Sequence, residues 1–310
     1  MHVLHGADLA GPTFNLIDDV RRMLALHFMV NAFRAGTVAA VLGAVIGWFM
    51  VLRRQSFVGH TLAVVSFPGA AAAIWLGVSA TAGYFAGSIA AALVIALVPR
   101  TPFGRADGQE SAVIGTVQAF ALATGTLFVS LYGGFLDSVT GLLFGSFLGV
   151  SDSQVVTLVV VAVLVLAVMV VLARPLLFAT VDGDVAAARG VPQRALSVAF
   201  LLVLGCTAAE VSQITGALLV FALLVMPAAT AQQLTARPVF GLCLSVVMGL
   251  VVVWSALGVA FYSTWPVGFF VSTFGFVVYL TATAIRVASG RLARMARTGG
   301  TPRTSPVVAA

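Results

Sequence analysis

The sequence is poor in the residues with which soluble enzymes do chemistry. Only 8% of its 310 residues are charged, it contains no lysine, and it has only four histidines and two cysteines. Without lysine, the GxxxxGK[ST] loop that cradles nucleotide phosphates cannot form. Cys206 and Cys243 lack metal-ligand spacing, which is typical of small packing residues. We therefore predict that the chain is not an enzyme, binds no cofactor tightly, and depends on another polypeptide for any ATP hydrolysis.

Apolar residues dominate instead, at 61% of the chain. Runs of about 17–25 apolar residues span a bilayer core, and the sequence predicts nine of them. They cover residues 35–52, 61–78, 80–98, 112–131, 154–173, 195–209, 214–231, 239–262 and 266–288. We predict an all-α, polytopic membrane protein. Residues 1–34 form an N-terminal segment with the character of an interfacial helix, residues 35–288 the transmembrane domain, and residues 289–310 a disordered, arginine-rich tail that attracts anionic lipid.

The basic residues, all arginine, are unevenly distributed between the two ends of the predicted spans. Thirteen of the sixteen fall on one side if the spans alternate: Arg53, Arg54, Arg100, Arg105, Arg174, Arg189, Arg194, Arg237, Arg286, Arg291, Arg294, Arg297 and Arg303. This asymmetry is the positive-inside signal, so that side is assigned to the cytoplasm. The net charge of +6 therefore reflects membrane topology, and no nucleic-acid partner is expected.

Two predicted spans carry a central proline in similar surroundings. LAVVSFPGAAA around Pro68 and FALLVMPAATA around Pro227 share the proline and three alanines, and the two spans run in opposite directions. Interrupted helices in opposite orientations are typical of transport pathways. We predict that both prolines flank such a pathway, with Ser66, Gln213 and Thr230 as its oxygen donors. The alternative is that the two kinks only shape helix packing.

Glu210 is the one acidic residue placed near a span end from which it could face a cavity. An ionisable group at membrane depth is a functional candidate by default. A position in the outer interface is the alternative for this residue.

A short helix is predicted on the cytoplasmic side after the fifth span. In VDGDVAAARGVPQR the stretch Asp184 to Arg189 suits a helix, and Gly190 and Pro192 form a stop signal. The acidic residue near its start and the arginine near its end match the helix dipole. This pattern indicates a docking element for a soluble partner, with an ordinary surface loop as the alternative.

Four stretches resemble the bacterial zinc and manganese ABC transporter permeases. They are VLRRQSFVGHTLAVVSFPGAAAA, GLLFGSFLGVSDSQV, VDGDVAAARGVPQRALS and QITGALLVFALLVMPAATAQQL. MPAATA, from Met226 to Ala231, is the most specific of the matching motifs, and the resemblance runs in order from Arg34 to Arg286.

The resemblance implies a fold like that of the vitamin B12 importer, in a homodimer within the bacterial cytoplasmic membrane. It implies two cytoplasmic ATPase subunits, which bind ATP, and a metal-binding extracytoplasmic lipoprotein. Residues 182–192 would be the coupling helix seated on the ATPase. Its predicted contact residues are Asp184, Ala187, Arg189, Gly190 and Pro192.

The sequence departs from the family pattern in the second span. His60 replaces a usual aspartate, Ala63 a serine and Val64 a histidine. Imidazole suits zinc, and a lost carboxylate makes manganese less comfortable. We therefore expect a divalent metal importer with His60 in the pathway and zinc ahead of manganese. The alternatives are an interfacial His60, a secondary transporter or channel without an ATPase, and a permease-like subunit for another solute.

Overall fold

The computed structural model describes residues 16–97, 107–132, 147–217 and 219–298, together with residues 141, 143 and 145. The described residues are almost all helical. The helices are α1 (Leu16–Leu24), α2 (His27–Leu52), α3 (Ser56–Trp75), α4 (Ala80–Leu97), α5 (Asp107–Tyr132), α6 (Asp152–Val181), α7 (Gly183–Ala188), α8 (Gln193–Thr215), α9 (Val220–Leu234), α10 (Pro238–Phe261) and α11 (Val267–Thr298), with a 3₁₀ turn over Phe147–Gly149 before α6.

Eight of the described helices are long and apolar enough to cross a membrane, and α9 is a shorter apolar helix of 15 residues. Together they follow the nine predicted spans in order. The sixth is longer than predicted, because α8 continues to Thr215 rather than ending at residue 209. Its last turns contain Glu210, Ser212 and Gln213, which lower the apolar character of the sequence. Glu210 and Ser212 are nevertheless buried against neighbouring helices.

At both ends of the described chain, the helix bounds differ from the predicted domain limits. Residues 17–24 of the N-terminal segment form an exposed amphipathic helix with Asp19 and Met23 buried, whereas residues 27–34 already belong to the first spanning helix. At the other end α11 is helical through Thr298. The disorder predicted from residue 289 is therefore wrong for residues 289–298, because the helix continues past the apolar part of the span. Residues 299–310 lie outside the described residues.

The interior of the bundle lies around α2, α3 and α8, whereas α6 turns much of its surface outward. Fully buried Leu42, Leu62 and Phe200 come from those three inner helices. On α6, by contrast, Val163 and Val171 are among many exposed valines. Since lipid tails are as apolar as valine, this surface suits the bilayer.

Small residues bring the inner helices into backbone contact. A Cβ on Gly47 of α2 would overlap the carbonyl oxygen of Leu224 in α9, and one on Gly69 of α3 would overlap the carbonyl oxygen of Gly83 in α4. Such close approach is what small side chains allow in membrane helices. It places α9 and α4 directly against the helices that carry the candidate site.

Candidate translocation pathway and coupling helix

Pro68 lies buried in the middle of α3, and the helix continues through it to Trp75. The expected interruption is therefore a missing hydrogen bond and not a break in the helix. Since proline has no N–H, the carbonyl of Val64 lacks its usual partner four residues on. Hydroxyls from side chains reach neighbouring carbonyls: Ser88 of α4 donates to Leu62 over 2.9 Å. The centre of α3 is thus supported by polar contacts from another helix.

Ser66 joins α3 to α8. Its Oγ lies 3.0 Å from Oγ of Ser212 and 2.5 Å from the carbonyl oxygen of Ala63, and the side chain is fully buried. The Ser212 hydroxyl in turn donates to the carbonyl of Ala208 over 2.6 Å. The pair is a compact group of oxygen atoms between two inner helices, and Ser212 lies two residues after Glu210 on α8.

His60 lies at the crossing of α3 and α9. Its half-buried ring meets the ring of Phe221 edge-on at 5.1 Å between centroids. Within the described residues, its buried Nδ1 has no hydrogen-bond partner. Imidazole is a common ligand of transition metals. The structure thus places an unpartnered ring nitrogen beside the proline-bearing α9, and the pathway role of His60 stays a prediction.

Thr61, the residue after His60, connects α3 to α5. Thr61 is fully buried, and its hydroxyl donates to Oε1 of Gln118 over 2.9 Å. Sequence reasoning missed Gln118, because the contact joins residues 57 positions apart and no local pattern indicates it.

Gln213 lines a cavity of about 270 Å³ at the outer ends of α6 and α8. Its amide nitrogen donates weakly to the carbonyl of Ala209, at 3.4 Å. The other lining residues are Thr81, Val150, Ser153, Gln154, Thr157, Leu158 and Ile214. The four hydroxyl and amide side chains among them make the cavity partly polar.

Pro227 and Thr230 are buried in α9, which also runs through its proline without a break. The Thr230 hydroxyl donates to the carbonyl of Met226, over 2.7 Å. Thr230 therefore donates its hydroxyl proton to a carbonyl of its own helix beside the proline. The lone pairs of its oxygen stay available to coordinate an ion.

The predicted pathway residues thus occupy three neighbouring places along α3, α8 and α9 and do not share one ligand shell. Among the described residues, no three His, Cys, Asp or Glu side chains come close enough to hold a metal ion. Hydroxyl, amide and carbonyl oxygens with one imidazole form a weakly binding set. Such a set suits an ion that passes and is released.

Glu210 is more deeply buried than the sequence suggested, with 1% of its surface exposed. Neither carboxyl oxygen has a hydrogen-bond partner among the described residues. The side chain therefore lies inside the helix bundle, and its role in the pathway stays a prediction.

The segment after α6 forms the predicted short helix, α7. The carboxylate of Asp182 caps its start by accepting a hydrogen bond from the Val185 amide at 3.0 Å. At its end Gly190 adopts φ = 76°, a left-handed conformation in which glycine is favoured. The amides of Gly190 and Val191 bond the carbonyls of Ala187 and Ala186, so both ends of the helix are closed by hydrogen bonds.

One face of α7 packs on the bundle and the other is open. Ala186 is fully buried, and the side-chain Nε2 of Gln193 donates to the carbonyl of Gly183. The residues predicted to contact a partner are all exposed: Asp184, Ala187, Arg189, Gly190 and Pro192. A Cβ built on Gly190 would meet open space. The helix is a fixed projection with a free surface.

Residues 25–286 match the ABC 3 transport family. A manganese transport system membrane protein of Halalkalibacterium halodurans is 27% identical over 74% of this chain and 77% of its own length. A chelated iron transport system membrane protein of Yersinia pestis is 29% identical over 91% of this chain and 94% of its own length.

Two solved structures have the same fold. PsaBC from Streptococcus pneumoniae, in complex with Fab, superposes with a TM-score of 0.75 at 22% identity, covering 86% of this chain and 94% of that one. A putative metal-chelate type ABC transporter in an inward-facing conformation gives a TM-score of 0.66 at 18% identity, covering 88% and 91%. The predicted all-helical permease fold is confirmed by these similarities.

Proposed function

The chain belongs to the ABC 3 transport family, and on that premise we propose that it is the membrane-spanning permease subunit of an ATP-driven importer of divalent metal ions. It is a multi-pass protein of the bacterial cytoplasmic membrane and not itself an enzyme. The family match and the capped, outward-facing α7 support this proposal together. The names of the relatives point to manganese and chelated iron and do not support our expectation of zinc ahead of manganese.

The single observation that carries the proposal is the geometry of α7. It lies between two spanning helices on the arginine-rich side, is capped at both ends, and leaves its partner-facing residues exposed. A cytoplasmic ATPase would seat this face in a groove. Nucleotide binding could then favour one of two arrangements of the permease, as alternating access requires. An extracytoplasmic metal-binding lipoprotein would deliver the ion at the opposite side.

The homodimer proposed for the importer is supported by one face of α5. A row of small side chains repeats at spacings of three and four residues on this helix and is exposed in the single subunit. The row consists of Ala112, Thr116, Ala119, Ala123, Thr126 and Ser130. The row beside it carries Phe120, Leu127 and Leu131, which suit lipid. Small residues at helical spacing are what close helix–helix packing needs.

In this proposal the ion passes along α3 and α9, with His60 as the nitrogen donor and Ser66 and Thr230 as oxygen donors. Gln213 belongs to the outer cavity, through which the ion would enter. Pro68 and Pro227 contribute by leaving backbone carbonyls free at membrane depth, which is tolerated where backbone is buried in protein or lines a cavity. Weak binding at each place allows release.

The test is reconstitution of the chain with its ATPase and lipoprotein in proteoliposomes, with uptake of Mn²⁺, Fe²⁺ and Zn²⁺ measured by elemental analysis. Uptake of at least one ion that requires hydrolysable ATP supports the proposal. The matched control is an ATPase that binds but cannot hydrolyse ATP. Uptake that persists with this control would identify a secondary transporter or channel, and no uptake of any divalent ion would point to another solute.

A further inference from the structure

The turn between α2 and α3 contains an arginine that contacts two other helices. Arg53 caps the end of α2, and its side chain is half-buried, whereas the next residue, Arg54, is exposed. Nη1 of Arg53 donates to Oγ1 of Thr180 on α6 over 3.2 Å, and Nη2 donates to Oγ of Ser197 on α8 over 3.1 Å. A single side chain therefore holds three helices together.

The guanidinium group of Arg53 also contacts an aromatic ring of α8 and a side chain of its own turn. Its central carbon lies 5.5 Å from the ring centre of Phe200 on α8, a cation–π geometry. Nε points to Oε1 of Gln55 at 3.4 Å, within the same turn. A planar fork with several donors can bridge two separate hydroxyls, which the single ammonium group of lysine does poorly.

The two helices that Arg53 joins are those that bracket α7. Thr180 precedes the capping residue Asp182 by two positions, and Ser197 follows Pro192 by five. The Thr180 hydroxyl donates to its own helix at Leu176, over 2.6 Å, which leaves its lone pair to accept from Arg53. A displacement of α7 that moves the adjoining ends of α6 and α8 therefore breaks the arginine contacts unless Arg53 moves with them.

The turn that carries Arg53 is rigid. Arg54 has φ = 58°, and the amides of Arg54 and Gln55 bond the carbonyls of Val51 and Met50 over 3.0 and 2.9 Å. This is a hydrogen-bonded helix end of the left-handed type. Since α3 begins at Ser56, a movement of Arg53 passes directly into the helix that bears His60.

We propose that Arg53 is a positioning residue that transmits displacement of the coupling helix α7 to the pathway helix α3. This inference rests on the proposed function, because it needs an ATPase acting on α7. Arg53 touches no transported ion. Its role is to keep hydrolysis and ion movement linked.

The experiment compares variants in proteoliposomes with the complete importer, and the readout is the number of ATP molecules hydrolysed per ion taken up. Arg53→Ala should raise this ratio about fivefold or more, the range of an ordinary coupling free energy. Arg53→Lys should recover only part of the loss. Thr180→Val combined with Ser197→Ala should raise the ratio similarly, and adding Arg53→Ala to that pair should add little, because the three groups act as one unit.

Arg54→Ala is the matched control, since it removes the same charge from the same turn but alters an exposed side chain. It should keep the wild-type ratio. Equal ratios for Arg53→Ala and Arg54→Ala would overturn the proposal, as would a parallel loss of hydrolysis and uptake in Arg53→Ala, which marks a purely structural role. ATP-independent uptake by the wild-type importer would instead refute the proposed function, so the two failures are distinguishable.

Discussion

Gly47 of α2 packs directly on the backbone of Leu224 in α9, and the helices leave no room for a side chain between them. Gly43 lies one turn earlier against Leu223 and the Leu224 side chain. The contact fixes α9, with Pro227 and Thr230, against the most buried helices of the bundle.

Gly47→Ala should therefore lower the free energy of unfolding by about 3 kcal/mol or more, as overpacking against backbone does. Thermal unfolding in detergent, followed by the fluorescence of the four tryptophans, measures the change. Gly115→Ala is the control, because a Cβ there meets nothing within 4 Å. It should instead stabilise α5 by about 0.5–1 kcal/mol. Equal stabilities of the two variants would contradict the close packing.

His60→Ala should alter the ion preference of uptake, because it removes the unpartnered ring nitrogen at the α3–α9 crossing. Loss of one weak ligand, about 1.4 kcal/mol, corresponds to a tenfold slower uptake of the preferred ion. Competition between Mn²⁺ and Zn²⁺ in the uptake assay measures the preference. His27→Ala removes a histidine that instead pairs with Asp152 at 2.9 Å, and it should leave the preference unchanged. An identical Mn²⁺/Zn²⁺ preference for both variants would mean that His60 serves only in packing.

Gly190→Val should reduce ATP-driven uptake while membrane insertion stays normal. At φ = 76° a side chain costs about 1–2 kcal/mol, so the end of α7 would rearrange where the ATPase is proposed to bind. Gly190→Asn adds bulk to the same open space but tolerates the left-handed conformation, and should retain most of the uptake. Unchanged uptake in Gly190→Val would argue against a coupling role for α7.

Glu210→Met should raise the free energy of unfolding by about 1–3 kcal/mol, because a buried polar group without partners costs about that much and Glu210 has none among the described residues. The same fluorescence assay measures it. Gln213→Met changes a half-buried side chain on the same helix and should shift stability by no more than about 0.5 kcal/mol. A destabilised Glu210→Met would contradict a buried carboxyl group without hydrogen-bond partners.

Local sequence patterns predicted those parts of the fold that depend on local physics. Apolar runs indicated the spanning helices, and the stop signal at Gly190 and Pro192 indicated the end of α7. The Asp182 cap was not singled out, although an aspartate before a short helix is a recognisable N-cap. The end of α8 was placed too early, because Glu210 and Ser212 look like surface residues until their burial is known.

The contacts of the candidate site could not be predicted in this way. Ser66 and Ser212 are 146 positions apart, and Arg53 and Ser197 are 144 apart. Which polar side chains meet across a bundle depends on helix rotation and crossing, which a single sequence does not specify. For Pro68 and Pro227, the sequence predicted interrupted helices, whereas the structure shows helices that continue through both prolines.

The shortness of α9 has an electrical consequence. With 15 residues it is about 22 Å long, against a hydrocarbon core of about 30 Å, and the turn before it, over Thr215–Ala217, is buried within the protein. A helix of this length falls short of the full core, so one of its ends lies below the membrane surface. If water fills the recess above it, the membrane voltage falls over a thinner layer, and a divalent cation moving past His60 crosses only part of the full potential difference.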